Sequence, residues 1–297
     1  MATTVAGAFS DFKARLEITD RQTTIVSNCR NNVVETLKKG GVSLMSTPES
    51  LLIGSYDRQT LTRYLTEGDV DVMVVLDGGV HKDWNDAEGT VKALDKVKAV
   101  LAAKYTTTTM RRDRNCVTMK LAEFRLDVVP AFQYGTPVSY YTIPDSIRKQ
   151  WVKTNPITFA TKMADLNKTM AGSFIPVTKM VKGWNRQQGW PIRSFHLECL
   201  LHSYFSVHTL SSSYSVMLTN FFAQLGTALN LPMYEPVLYD RVDTYMDEGV
   251  PTRRTKAVTK ATDAAASSAK ALANDAYPSI AIPLWKGLLG EFFPTYG

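Results

Sequence analysis

GDVDVMVVLDGG, residues 68–79, is the most informative stretch of this sequence. The part from Asp69 to Leu76 is rich in β-branched residues and is followed by Asp-Gly-Gly, which predicts a strand that ends in a turn. Successive strand side chains point to opposite faces, so Asp69 and Asp71 share a face and lie about 6.5–7 Å apart along the strand. Two carboxylates this close repel each other, and a cation between them relieves that repulsion.

Two further segments flank this acidic pair in the sequence. Upstream, IGSYDRQT (residues 53–60) contains a Gly-Ser turn, whose backbone N–H groups and hydroxyl can bind a phosphate. Downstream, RLDVVPAF (residues 125–132) predicts a strand that carries Asp127. If the two strands are neighbours, three carboxylates converge, and such hard oxygen ligands suit Mg²⁺. Two such ions can activate an attacking hydroxyl and stabilise a leaving pyrophosphate.

Each of these signals is weak when it stands alone. An isolated Asp-x-Asp more often caps the end of a strand towards solvent, and most Gly-Ser pairs are ordinary turns. The metal site becomes the better interpretation when the three segments are taken together, because Gly-Ser, a spacer, the acidic pair on a strand and a single strand aspartate follow one another in order.

The hydrophobic pattern predicts two lobes of an α+β fold. Residues 8–40 show apolar residues at three- and four-residue steps, which predicts one long helix that ends at Gly40-Gly41. Residues 139–156 resemble a loop, and helical patterns dominate from residue 158 onward. We therefore predict an N-terminal lobe over residues 1–150, with a mixed twisted sheet and the long helix, and a helical lobe over residues 151–297.

Composition limits the class of protein. The chain has 297 residues, of which 44% are hydrophobic, so it can bury a substantial core. Its 34 basic and 28 acidic residues give a net charge of +6, which suits nucleic acid or free nucleotides but is equally compatible with ordinary solubility charge. Three well-separated cysteines make no disulfide framework. With no apolar run of membrane length and no signal peptide, we expect a cytoplasmic protein without a membrane segment.

The ordered motifs resemble the nucleotidyltransferase signature of the DNA polymerase β superfamily, and within it the cGAS/DncV-like nucleotidyltransferases (CD-NTases). Further segments of the chain also resemble this family. Among its bacterial members, the clade D enzymes have the most similar sequence pattern. These segments are IPD and WVKTNP within residues 143–156, MVKGWN at 180–185, SFHLE at 194–198, and AIPLWK with LGEFFP within residues 281–294.

The resemblance implies a polymerase β-like catalytic lobe and a helical lobe, with the active site in the cleft between them. It also implies site residues of three kinds. These are the catalytic metal ligands Asp69, Asp71 and Asp127 for two Mg²⁺ ions, with Mn²⁺ as an alternative; the phosphate turn Gly54 and Ser55; and the donor-triphosphate contacts Lys182 and Ser194.

The triphosphate contacts have simpler interpretations from the residues alone. Lys182 also fits a surface lysine, and Lys179 is a rival for its role. Ser194 fits a helix N-cap equally well.

The resemblance implies that the enzyme joins NTPs, ATP among them, into a cyclic di- or trinucleotide and releases pyrophosphate. The product would act as a second messenger on a downstream effector in CBASS antiphage defence. A regulatory or conjugating operon partner, acting through the C-terminus at Gly297, is a further expectation. The alternatives are an enzyme that adds nucleotides to RNA or a small molecule, and an inactive nucleic-acid-binding protein. The bases, ring size and 2′-5′ or 3′-5′ linkage stay open.

Overall fold

A computed structural model describes residues 1–65, 68–135, 137–208 and 211–297 of the chain. Within these ranges, seven strands form one mixed sheet in the order β1-β2-β5-β4-β3, and β6 and β7 extend it from the far part of β5. The strands are β1 Ser50–Ile53, β2 Asp69–Val75, β3 Met110–Arg112, β4 Val117–Lys120, β5 Arg125–Tyr134, β6 Tyr140–Asp145 and β7 Gln150–Thr154. Only β2 and β5 pair in parallel among the described strands.

Helices make up much of the remaining described chain. They are α1 Val5–Leu16, α2 Asp20–Lys39, α3 Gly54–Asp57, α4 Gly89–Lys104, α5 Pro156–Thr169, α6 Phe174–Gln187, α7 Ser194–Phe205, α8 Tyr214–Ala228, α9 Arg253–Leu272 and α10 Pro278–Leu289. A mixed sheet with mostly antiparallel pairing, followed by a run of helices after Thr154, confirms the predicted α+β class. In the described part of the chain, no helix combines the length and apolar character needed to cross a membrane.

The chain divides into two compact units. One comprises Ile18–Ala160, and the other comprises Met1–Glu17 together with Thr161–Gly297. The predicted division lay near residue 150, whereas the compact units divide after residue 160, inside α5, and the first 17 residues belong with the C-terminal helices.

One face of the sheet in the Ile18–Ala160 unit packs on a hydrophobic core. Val70, Val72 and Val74 of β2 are each 0% exposed and belong to the same core cluster as apolar side chains of α2 and α4. Burying a side chain of this size stabilises the fold by about 1.5–3 kcal/mol. Because strand residues alternate, this burial fixes Asp69 and Asp71 on the opposite face.

The predicted single helix over residues 8–40 is wrong, because the chain forms two helices there. Glu17 has an extended backbone with ψ 141°, and Thr19 begins α2 with a capping box. The Thr19 hydroxyl accepts a hydrogen bond from the Gln22 amide at 3.2 Å, and the Thr19 amide donates to the Gln22 side chain at 2.9 Å. Such reciprocal bonds satisfy two backbone donors at the start of a new helix. The helix therefore breaks before Thr19, although the apolar periodicity of the sequence continues across the break.

The predicted loop over residues 139–156 is also wrong, because β6 and β7 form a hairpin there. Asp145 closes its turn, since one carboxylate oxygen accepts hydrogen bonds from the amides of Ile147 and Arg148 at 3.2 and 3.0 Å. Pro144 lies inside β6, and its carbonyl accepts a hydrogen bond from the Asn115 side chain at 2.6 Å.

The other unit has α6 in its core. Met180, Val181 and Trp184 of this helix are each 0% exposed. At the start of the chain, Phe9 of α1 packs edge-on against the rings of Trp285 and Phe293, with centroids 5.1 Å away in both pairs. These contacts explain why α1 belongs with the C-terminal helices.

Candidate active site

The three predicted metal ligands lie on two neighbouring parallel strands. Asp71 of β2 and Asp127 of β5 are paired residues in the strand register. Neighbouring strands are about 4.7–4.9 Å apart, and paired residues of parallel strands point to the same face. Asp69 shares that face two residues earlier on β2. The structure therefore brings three carboxylates to one face of the sheet, opposite the apolar core.

The predicted phosphate turn lies directly beside Asp71. Ile53, the last residue of β1, pairs with Asp71, and Gly54 begins the short helix α3. Gly54 has a φ of +68°, and a Cβ atom added to it would lie 2.0 Å from Oδ2 of Asp71. Only glycine fits here, because both the backbone conformation and the space exclude a side chain. The carbonyl of Ser55 accepts the amides of Thr60 and Leu61 at 2.9 Å, which closes the turn.

The carboxylate of Asp127 is largely buried. Its Oδ1 is buried and accepts no hydrogen bond from any described residue. Burial raises the pKa of Asp127, and the nearby Asp69 carboxylate raises it further, while a hydrogen bond from Thr118 opposes both. Thr118 is the partner of Asp127 across β4 and β5. A buried carboxylate oxygen without a donor suits a cation ligand.

Cys116 shares this environment. It is 9% exposed, and its Sγ lies 3.7 Å from the Thr118 hydroxyl. Burial raises the pKa of its thiol to about 12, and the charge of Asp127 acts in the same direction. The thiol is therefore protonated at neutral pH and is a poor metal ligand and nucleophile.

Asp69 differs from the other two carboxylates because it has a strong protein partner. Arg125, its paired residue on β5, binds its carboxylate through Nε. Within the described ranges, no three His, Cys, Asp or Glu side chains are close enough together to hold one metal ion. In this structure the Asp69 carboxylate is paired with the Arg125 guanidinium instead.

The residues on this face fit a divalent cation. Asp127 offers a buried oxygen without a donor, and Asp71 offers a carboxylate pressed against Gly54, so both are hard oxygen ligands on one face. Asp69 would become the third carboxylate ligand after its carboxylate releases the Arg125 guanidinium and binds the ion.

The two predicted triphosphate contacts lie in the other unit. Lys182 of α6 is buried, and its Nζ lies 2.5 Å from Oε1 of Glu198 on α7. Ser194 is the first residue of α7, and its side chain does not cap the helix, because Arg193 occupies the N-cap position. Lys179, the rival, lies 2.5 Å from Glu17 at the end of α1. Lys182 is therefore not the exposed surface residue that the simpler interpretation expected.

Sequence reasoning missed three residues at these sites, namely Thr118, Arg125 and Glu198. Arg125 and Glu198 fall inside the motifs RLDVVPAF and SFHLE, so their positions were visible although their partners were not. Thr118 faces Asp127 only through the antiparallel register of β4 and β5, which no local pattern reveals.

This chain matches a protein-family model and is similar to known proteins over most of its length. The model for the Second Messenger Oligonucleotide or Dinucleotide Synthetase (SMODS) domain matches residues 3–167. A cyclic AMP-AMP-AMP synthase from an Acinetobacter strain is 26% identical over 92% of this chain and 81% of its own length.

Solved structures share the fold. The Vibrio cholerae DncV cyclic AMP-GMP synthase, in complex with a linear pppA(3′,5′)pG intermediate, has a TM-score of 0.73 at 14% identity and covers 96% of this chain and 97% of that one. Escherichia coli CdnC in its complex with HORMA-deltaN has a TM-score of 0.68 at 16% identity and covers 97% of this chain and 98% of that one. The resemblance to CD-NTases is thus confirmed, and the assignment to clade D stays a prediction.

Proposed function

This chain belongs to the SMODS family of second-messenger oligonucleotide or dinucleotide synthetases, and from that premise we propose that it is a metal-dependent nucleotidyltransferase that makes a cyclic di- or trinucleotide from NTPs. In each step a ribose hydroxyl attacks the α-phosphate of an NTP, and pyrophosphate leaves. The name of the Acinetobacter relative, a cyclic trinucleotide synthase, supports this proposal.

One observation carries the proposal most strongly, namely the polar face of β2 and β5. Asp71 and Asp127 are register partners, and the buried Oδ1 of Asp127 accepts no hydrogen bond among the described residues. Unpaired buried charge costs several kcal/mol unless a counterion compensates it, as an order-of-magnitude figure. A buried carboxylate oxygen without a donor does not stabilise the fold. Its presence here therefore supports a cation site.

Each site residue then has a defined task. Asp71 and Asp127 would hold the divalent metal, with Asp69 as the third ligand; we propose two Mg²⁺ ions, with Mn²⁺ as an alternative. Bound ions of this kind supply charge stabilisation to the transferred phosphoryl group and help to activate the acceptor hydroxyl. Gly54 and Ser55 would donate backbone N–H groups and a hydroxyl to phosphate oxygens.

The donor triphosphate would be bound by Lys182 and Ser194. We prefer Lys182 to Lys179 because the partner of Lys182, Glu198, lies on the helix that begins at Ser194. Lys179 instead binds Glu17 at the end of α1.

A cyclic product follows from repeated use of one site. A linear intermediate keeps its 5′-triphosphate and can bind again as the donor. Its own terminal hydroxyl then attacks, because effective concentrations within one bound molecule far exceed those of free acceptors. The linear intermediate named for the DncV complex supports this order of events. We expect at least one adenine in the product.

The proposed biological role is CBASS antiphage defence, with the product acting on a downstream effector. The CdnC complex with HORMA-deltaN supports a protein partner, and its regulatory role is part of the proposal. Conjugation through Gly297 is a separate proposal. The Gly297 amide donates to the Ala2 carbonyl at 3.3 Å, so the tail would have to leave Ala2 first.

Pyrophosphate release from the four NTPs with Mg²⁺ or Mn²⁺ tests the proposed chemistry. D69N/D71N and D127N should each lose several orders of magnitude in turnover, because the amides keep the shape and remove the charge. The matched control is D95N, since Asp95 is an exposed carboxylate that pairs with Arg112 away from β2 and β5. Near-normal turnover in the folded site variants would refute the metal assignment.

A further inference from the structure

Lys182 and Glu198 form an ion pair that is almost entirely shielded from solvent. The side chain of Lys182 is 6% exposed and that of Glu198 is 0% exposed, with 2.5 Å between Nζ and Oε1. Removing two charges from water is costly, and replacing such a pair by apolar residues is often neutral or stabilising. Fold stability therefore gives little reason for an ion pair at this place.

The position of Glu198 on its helix suggests another reason. Glu198 lies four residues after Ser194 on α7, which is about 6 Å along the axis and on the same face. Helical side chains lean towards the N-terminus, so the Glu198 side chain leans towards the first turn of α7. Lys182 is thus bound to the same face of α7 that carries Ser194, near a helix start that Arg193 does not cap through its side chain.

A second lysine on the same helix provides a comparison. Lys179, three residues earlier on α6, has an equally close carboxylate in Glu17, at 2.5 Å. The side chain of Glu17 is 45% exposed and belongs to the residue that ends α1. This pair joins α6 to α1, whereas the Lys182 pair joins α6 to the helix of Ser194.

We propose that Glu198 is a positioning residue for the donor triphosphate: its carboxylate fixes the ammonium of Lys182 beside Ser194, where the phosphates bind. The inference rests on the proposed function, in which Lys182 and Ser194 contact the triphosphate. A lysine has a long flexible stem and a point charge, so an anchored ammonium loses less conformational entropy when the phosphates bind.

A double-mutant cycle on the full-length protein tests this role, with K182M, E198L, the double variant and the conservative E198Q. K182M should raise the KM for NTP by about ten- to hundredfold, the range of one charge-assisted hydrogen bond, with a smaller change in kcat. E198L should raise KM nearly as much, and the double variant no further. E198Q retains an acceptor and should give an intermediate KM.

Melting curves separate positioning from a purely structural role. Each single substitution should lower the melting temperature, because it removes one member of a buried ion pair and keeps the other charge in the core. The double variant should recover the melting temperature without recovering KM. E17Q is the matched control and should leave KM unchanged. If E198L does not fold, E198Q gives the same comparison in milder form.

The outcomes distinguish the inference from the proposed function. A raised KM in K182M with a wild-type KM in both E198L and E198Q would overturn the positioning role and leave the triphosphate contact standing. Additive effects on KM in the double variant would also overturn it. A wild-type KM in K182M would refute the proposed role of Lys182, and the inference with it.

Discussion

At the scale of single residues, Gly54 is the position that tolerates least change. An alanine there would place its Cβ 2.0 Å from Oδ2 of Asp71, at a φ of +68°. G54A should abolish measurable turnover. It should also lower the free energy of unfolding by about 1–2 kcal/mol or more, because a left-handed backbone costs alanine about this much. Turnover and urea unfolding are the measurements. G41A is the control, because Gly41 has a φ of +76° and nothing within 4 Å of its added Cβ. Similar turnover in the two variants would contradict the proposed contact with Asp71.

Asp127 should reduce the stability of the metal-free protein. Burial raises the pKa of Asp127 in the folded protein above its value in the unfolded chain. The carboxyl therefore contributes stability at a pH below its pKa in the unfolded chain, and this contribution is lost as the pH rises through its pKa in the folded protein. At neutral pH in EDTA, D127N should therefore melt a few degrees above the wild type. Mg²⁺ should raise the melting temperature of the wild type more than that of D127N. A D127N protein that melts below the wild type in EDTA would contradict this account.

The sequence was enough to propose the candidate site residues, but not to predict the residues that contact them. Asp69, Asp71 and Asp127 stood out through alternation and motif order. Their differences come from residues distant in sequence: Arg125 binds Asp69, while Thr118 faces Asp127 across β4. Those contacts depend on strand register, which is set by the whole sheet.

At the scale of elements, α7 contains a buried histidine that should make the protein sensitive to acid. His196 is 1% exposed, its Nδ1 lies 3.1 Å from the Tyr245 hydroxyl, and burial lowers its pKa to about 4. Its contribution is full above the unfolded pKa near 6.5 and is lost as the pH falls towards 4. Between pH 7 and pH 5 this should cost about 2 kcal/mol of unfolding free energy.

Urea unfolding of wild type and H196Q at both pH values measures this loss. The difference between the two proteins isolates His196, because burial also lowers the pKa values of His81 and His202 and affects both proteins alike. H196Q should lose about 2 kcal/mol less than the wild type over this interval. An equal loss in both proteins would contradict the buried, neutral state of His196.

Elements were predictable where local patterns and tertiary structure agree. The apolar strand after Gly68 became β2, and the strand around Asp127 became β5. The break at Thr19 was missed because apolar periodicity continues through it, although Thr19 and Gln22 carry the capping signal. The β6–β7 hairpin was missed because Pro144 and Pro156 suggested a loop, whereas pairing with β5 determines the strand.

At the scale of the whole molecule, a net charge of +6 agrees with polyanionic substrates such as NTPs. The chain shows no dense basic and aromatic tract of the kind that favours binding of a growing strand. A small released product therefore fits this protein better than a long polymer.

The most direct test of the central claim is the mass of the NTP-derived product after phosphatase treatment. The protein is incubated with all four NTPs and Mg²⁺, treated with phosphatase, and the surviving species are identified by mass spectrometry. We expect a phosphatase-resistant species of two or three nucleotides. The cyclase mechanism predicts its mass, which equals the sum of its nucleoside monophosphates minus one water for each. Linear phosphatase-sensitive products, or a ladder of increasing length, would contradict the cyclase activity and leave nucleotidyl transfer standing, and no conversion of any NTP would contradict both.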